Sequence, residues 1–214
     1  MDRTIIERAI EYVKMIFESD FSGHDYFHTL RVFNMAIVIG EKEGADLEIV
    51  GLSALLHDVD DRKLSPETCE NKTRAREFLK SNGVDDESTE TICKIIGEIA
   101  YAGTDSVVPD TIEGKCVQDA DRLDAIGAVG IARAFAYGGN HNRCMHNPEA
   151  QPKVNMTAEE YHKSNSTTIN HFYEKLFLLK DMMNTATARE MAKGRDEYMH
   201  AFVDTFMAEW EGKR

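Results

Sequence analysis

The chain has 214 residues and a formal net charge of −13. That length suits a single helical domain whose core needs neither disulfides nor a structural metal. The charge excludes nucleic-acid backbone and anionic membrane as natural partners, so a phosphate-bearing ligand would need a local cation cluster or a metal ion.

Apolar residues recur at helical spacing almost throughout, with no convincing strand pair and no internal repeat, which predicts an all-α fold. The first run, Ile5 to Phe17, opens on Thr4 and Glu7 in the pattern of a capping box. A second helix is expected from Phe27 to Glu43, stopping at Gly44, and a third from the N-cap Asp46 through Leu56. Ser65-Pro66 predicts the start of a fourth, with Pro at the first helical position, and Asn82-Gly83 its end. Ile92, Ile95, Ile96 and Ile99 mark a fifth. A sixth follows Pro109-Asp110 and continues to Tyr137, before Gly138-Gly139. Residues 138–156 show no period and read as a functional or disordered loop. Thr157 and Glu160 form another capping box, with a helix toward Met183. A last helix starts near Thr187 and runs to Trp210. Residues 1–214 thus read as one domain, with a catalytic core over about 4–137, a loop over about 138–156 and C-terminal helices over about 157–211. The four cysteines, Cys69, Cys93, Cys116 and Cys144, contain no CxxC pair and read as reduced thiols. No signal peptide or membrane span is visible, so the chain reads as cytoplasmic.

Three polar segments stand out against the apolar pattern. His57 and Asp58 end the apolar run of the third helix. Adjacent helical residues diverge by about 100°, so the two can reach one point only from a helix end. His24, Asp25 and His28 cluster at the start of the second helix. Asp119, Asp121 and Asp124 alternate with apolar residues, and the last two share a helical face. A lone buried His is usually a hydrogen-bonded core residue and a run of Asp is usually solvated. Acids flanked by apolar residues on both sides are instead expected to be paired or to bind metal. Two His and two Asp make a mixed N/O set that suits Mn²⁺, Fe²⁺, Co²⁺, Ni²⁺ or Mg²⁺.

The segments GHDYFHTLRV, ALLHDVDDRK and QDADRLDAIG, in that order, resemble the H…HD…D pattern of the HD superfamily of metal-dependent phosphohydrolases. GIARAFAYGG, INHFYEKLFLLKDMMNTATA and a final helix containing Glu209-Trp210 extend the resemblance, to a bacterial-type subgroup, over nearly the whole chain. It implies an HD-domain helical bundle with a C-terminal helical extension. It implies one divalent ion, Mn²⁺ first, on His28, His57, Asp58 and Asp121, and hydrolysis of phosphate esters or anhydrides, commonly of nucleotides. No His falls between Asp58 and Asp121, where two-metal members carry extra ligands, so a single ion is expected. Members of the family are often dimers, which leaves a homodimer open here.

The roles follow on that basis. Asp61, one helical turn past Asp58, is expected to position or deprotonate the attacking water, and Asp124 to orient a ligand. Phosphate is expected to meet Arg31, Lys63, Arg122 and Lys175, with Asn170 and His171 facing the substrate. The 138–156 loop, with Lys153, is a candidate lid. The first functional reading is cleavage of (deoxy)nucleoside triphosphates to monophosphate and pyrophosphate. The alternatives are a nucleoside monophosphate phosphatase or other phosphomonoesterase, and a regulatory module that binds metal or nucleotide without turnover.

Overall fold

The computed structural model describes residues 3–17, 25–61, 65–164 and 166–213. Among them there are ten α-helices, two short 3₁₀ runs and no strand, as the periodicity predicts. None of the described helices is long and apolar enough to cross a membrane. The chain forms two compact units: Met1–Tyr101 with Val107–Asp121, and Ala102–Ser106 with Arg122–Arg214.

The first unit is built on α1 (Arg3–Phe17), α2 (Tyr26–Glu43), α3 (Leu47–Leu56), α4 (Thr73–Ser81), α5 (Asp86–Glu98) and the part of α6 (Ile112–Asp124) up to Asp121. Helix α3 is its centre and packs against α1, α2 and α5. Every residue from Val50 to Asp60 is buried, which fits a helix that is apolar all round. Leu52, Leu55, Leu56 and Val59 meet Ile5, Val13, Phe78, Leu79 and Ile92 in one core cluster. Each such side chain stabilises the fold by roughly 1.5–3 kcal/mol through burial. The caps are local and legible. Asp25 accepts from the backbone N–H of His28 at 2.7 Å, Asp46 accepts from those of Glu48 and Ile49, and Gly44 closes α2 at φ 73°.

The second unit holds the end of α6, then α7 (Gly127–Asn140), α8 (Ala158–Lys163), α9 (Thr168–Glu174), a 3₁₀ run over Leu176–Met182 and α10 (Ala186–Trp210). Helix α10 packs on α7 and on the 3₁₀ run. The rings of Phe135, Phe172 and Phe202 lie together there, 5.8–6.4 Å between centroids.

Several boundaries depart from the sequence reading. Thr4 is not a cap, because the helix is already formed at Arg3. Helix α4 begins at Thr73, not at Pro66. One turn does form at Ser65, whose carbonyl accepts from Cys69 N–H, but Lys72 then takes φ 51° and interrupts it. The expected sixth helix is two, separated at Ala125-Ile126, with Gly127 at φ 75°. Gly138-Gly139 does not end α7. Gly138 is a buried helical residue at which a Cβ would lie 2.4 Å from Thr168 Oγ1, so its role is close approach. The helix expected from Thr157 to Met183 is broken twice, where Ser164 turns extended and Lys175 takes φ −142°. The capping box of Thr157 and Glu160 is present, and α10 starts from the cap Thr185.

Candidate metal centre

The first unit alone assembles all four expected ligands. His28 is the third residue of α2, held there by the Asp25 cap. His57 is the C-cap of α3, still in helical geometry, and Asp58 follows it into a turn in which Asp61 N–H donates to the Asp58 carbonyl at 3.0 Å. Asp121 sits near the end of α6.

These side chains converge on His28 Nε2. His57 Nε2 lies 3.3 Å from it, Asp58 Oδ2 3.5 Å and Asp121 Oδ1 3.5 Å. Asp58 Oδ2 is also 3.2 Å from His57 Nε2. His28, His57 and Asp58 are buried and offer ligand atoms all within 4.8 Å of one another. Asp121 keeps 29% of its side chain exposed and so opens the cluster toward solvent. For bonds of about 2.1 Å, neighbouring ligand atoms are roughly 3.0 Å apart around an octahedral ion and roughly 3.4 Å around a tetrahedral one. The observed edges have that size, so the donor set fits one divalent ion.

The protonation chemistry points the same way. His57 Nδ1 lies 2.8 Å from the Ala54 carbonyl, which can only accept, so Nδ1 donates there, and in the neutral ring Nε2 is the nitrogen that offers a lone pair to the cluster. Burial strongly opposes charge on His57. The Asp58 carboxylate, then Asp121 and the Ala54 carbonyl, outweigh it and raise the pKa to about 9. The same carboxylates that draw a proton onto His57 would draw a cation to this point.

The other expected site residues divide. Asp61, half-buried, ends the ligand turn, and its carbonyl accepts from Ser65 N–H at 2.7 Å. Arg31 is half-buried, one turn beyond His28 on α2. Lys63 lies outside the described residues. The remainder belong to the second unit and have structural partners there. Arg122 is 3% exposed and its Nη1 donates to the Met182 carbonyl. Asp124 is buried and paired with Arg133 at 2.7 Å. Asn170 is buried, and its Nδ2 donates to the Ala150 carbonyl at 3.0 Å. His171 stacks on the Tyr161 ring at 6.4 Å, and Lys175 Nζ stands 5.7 Å from the same ring centre. Thr168 and Ile169 N–H donate to the Cys144 and Met145 carbonyls, and Lys153 N–H to Glu174, so the 141–156 segment is tied to α9 at several points. The buried thiol of Cys116 is pushed up to about 12 by burial and the nearby Asp119, consistent with an unreactive cysteine.

Sequence reasoning missed two contributors. The Ala54 carbonyl leaves no mark in side-chain patterns. Asp60 stood inside an acidic run, yet it is fully buried and accepts from two backbone N–H groups of α4, Arg74 at 3.2 Å and Ala75 at 2.9 Å. An acid two residues past the HD pair, next to the apolar Val59, was the available signal.

Comparison with known proteins agrees with this geometry. Residues 25–126, which span His28, His57, Asp58 and Asp121, match the HD domain family. A crystal structure from Lactobacillus plantarum superposes with a TM-score of 0.88 at 37% identity, over 99% of both chains. An HD-superfamily hydrolase from Bacillus thuringiensis is 41% identical with a TM-score of 0.77, again over 99% of both. YpgQ of Bacillus subtilis is 40% identical over 199 residues, 92% of this chain and 89% of YpgQ. Its crystal structure in complex with ADP superposes with a TM-score of 0.76 over 98% of this chain and 100% of that one. With its HD-domain match, its helical architecture and these full-length relatives, the chain belongs to the HD superfamily of metal-dependent phosphohydrolases.

Proposed function

We propose that the chain hydrolyses nucleoside triphosphates, ribo or deoxy, to the monophosphate and pyrophosphate, at a single Mn²⁺-type ion held by His28, His57, Asp58 and Asp121. The convergence of those four side chains on His28 Nε2 carries the hydrolytic part. The ADP complex of YpgQ supports a nucleotide as the ligand.

An ion bound there supplies a Lewis acid and lowers the pKa of a water molecule. The chain's own residues do the rest. Two carboxylates balance a dication, so the centre does not repel a polyphosphate despite the acidic chain. The Ala54 carbonyl fixes the tautomer of His57. Asp121, on the exposed side, marks the direction from which water and substrate enter. Asp61, which ends the turn that begins at Asp58, holds the proton of the attacking water.

A panel of divalent ions against nucleoside mono-, di- and triphosphates, with products identified by ³¹P NMR, tests the reading. Pyrophosphate and monophosphate from a triphosphate in Mn²⁺ is the expected result. Orthophosphate released from monophosphates would replace it with a phosphomonoesterase. Metal and nucleotide binding without turnover would replace it with a binding module.

A further inference from the structure

The metal ligands His57 and Asp58 lie on a turn that is held from behind by a helix with no ligand of its own. Helix α4 starts at Thr73 after Lys72, which adopts φ 51° and offers no side-chain cap. The first N–H groups of a helix need partners and favour negative charge. Both are provided by Asp60, fourteen and fifteen residues upstream. Its Oδ1 accepts from Arg74 N–H at 3.2 Å and its Oδ2 from Ala75 N–H at 2.9 Å, and the residue is fully buried. Arg74 reaches back, Nη1 to the Val59 carbonyl at 3.5 Å. Val59 itself is fully buried in the cluster that includes Ala75, Phe78 and Leu79 of α4. Asp58 is therefore followed at once by a residue buried in the core cluster that α4 shares and by one whose carboxylate is anchored on α4 itself.

We infer that Asp60 is a positioning residue of the metal centre, a carboxylate that fastens the His57-Asp58 turn to the N-terminus of α4 and so fixes the direction of both ligand atoms. The inference rests on the ligand assignment made above. A helix cap of ordinary kind would stabilise α4 alone. This one ties α4 to the residue two places beyond a ligand, so loosening it lets the turn rotate and spreads the 3.2 Å gap between His57 Nε2 and Asp58 Oδ2. Groups that orient ligands typically change metal affinity by about 10–100-fold when altered.

The experiment measures Mn²⁺ affinity by electron paramagnetic resonance on the full chain, alongside thermal unfolding without metal. Asp60→Asn keeps the volume but turns an N–H₂ toward one of the two backbone donors. Asp85→Ala is the control, since Asp85 caps α5 through Ser88 N–H at 2.9 Å and touches no ligand turn. Both variants should unfold at lower temperature, but only Asp60→Asn should bind Mn²⁺ more weakly, by about tenfold or more. Equal affinity in wild type and Asp60→Asn overturns the inference, as does an equal loss in Asp85→Ala. If Asp60→Asn does not fold, Arg74→Met, which removes the bond to the Val59 carbonyl together with the exposed ion pair to Glu67, decides, with Glu67→Gln as its control for the ion pair. A several-fold weaker affinity supports the inference and an unchanged one overturns it. Wild-type protein that takes up no Mn²⁺ removes the ligand assignment, and this inference with it. Uptake by wild type with unchanged affinity in the variant removes this inference alone.

Discussion

Raising the pH should tighten metal binding in a way that the cluster geometry sets quantitatively. In the metal-free protein His57 titrates near 9 instead of 6.5, because the attraction of Asp58, Asp121 and the Ala54 carbonyl exceeds the burial cost. His28 Nε2 is 3.3 Å from His57 Nε2, so an ion held by both nitrogens meets the site that the proton occupies. A raised pKa means that protonation stabilises the metal-free fold. That contribution is fully present below 6.5 and is lost as the pH rises through about 9. An ion needs the same nitrogen deprotonated, so proton and metal compete. At pH 7, two units below 9, the proton weakens apparent metal affinity by about 100-fold, and each unit of pH up to 9 should recover about tenfold. Titration calorimetry with Mn²⁺ at pH 7, in buffers of different ionisation enthalpy, should register close to one proton released per ion. Affinity that stays flat from pH 6.5 to 8.5, with no proton released, would refute the reasoning and leave His57 outside the metal centre.

Two further pairs of variants separate roles that the structure distinguishes. Asp61→Asn should retain Mn²⁺ affinity and lose turnover by about 10²–10⁴-fold, whereas Asp58→Asn should lose both, as read by direct metal binding and by product release. Wild-type turnover in Asp61→Asn would place water activation elsewhere. Gly130→Ala should destabilise the chain by about 3 kcal/mol in urea unfolding, since its Cβ would fall 2.2 Å from the Ala125 carbonyl oxygen. Gly139→Ala, at an exposed helical position with nothing within 4 Å, should instead stabilise it by roughly 0.5–1 kcal/mol, and a loss there would contradict the helical assignment.

What could be read from the sequence was what neighbours in sequence decide. Asp46, Gly44 and the box of Thr157 and Glu160 cap their helices with partners at most five residues away, and each stands where the pattern put it. The H…HD…D spacing works for a related reason. Each segment places a ligand at or near a helix end, where one side chain can leave the apolar face, and the long-range part reduces to three helix ends meeting. The start of α4 could not be read, because its cap is Asp60, a residue of the preceding turn, while Ser65-Pro66 carries a correct local signal for a single turn only. Nor could the break after α6, because apolar periodicity runs on through Ile126 while Gly127 reverses the backbone.

The cations show most clearly where local chemistry and tertiary partners disagree. From the sequence, an Arg directly after an expected ligand is a phosphate contact by analogy with relatives. In the structure it is 3% exposed and gives Nη1 to the Met182 carbonyl, at the end of the 3₁₀ run. Neither fact lies within reach of a motif, because the partner is sixty residues away. A guanidinium committed to a main-chain carbonyl already has part of its hydrogen bonding satisfied, and moving it to a phosphate would forfeit that bond. Asp124, the other acid of the QDADRLD segment, is likewise met by Arg133 at 2.7 Å. So the alternation of acids and apolar residues along α6 encodes two jobs in succession. Asp121 faces the ligand cluster, and one turn later Asp124 pairs with Arg133 of α7 across the break at Ala125-Ile126.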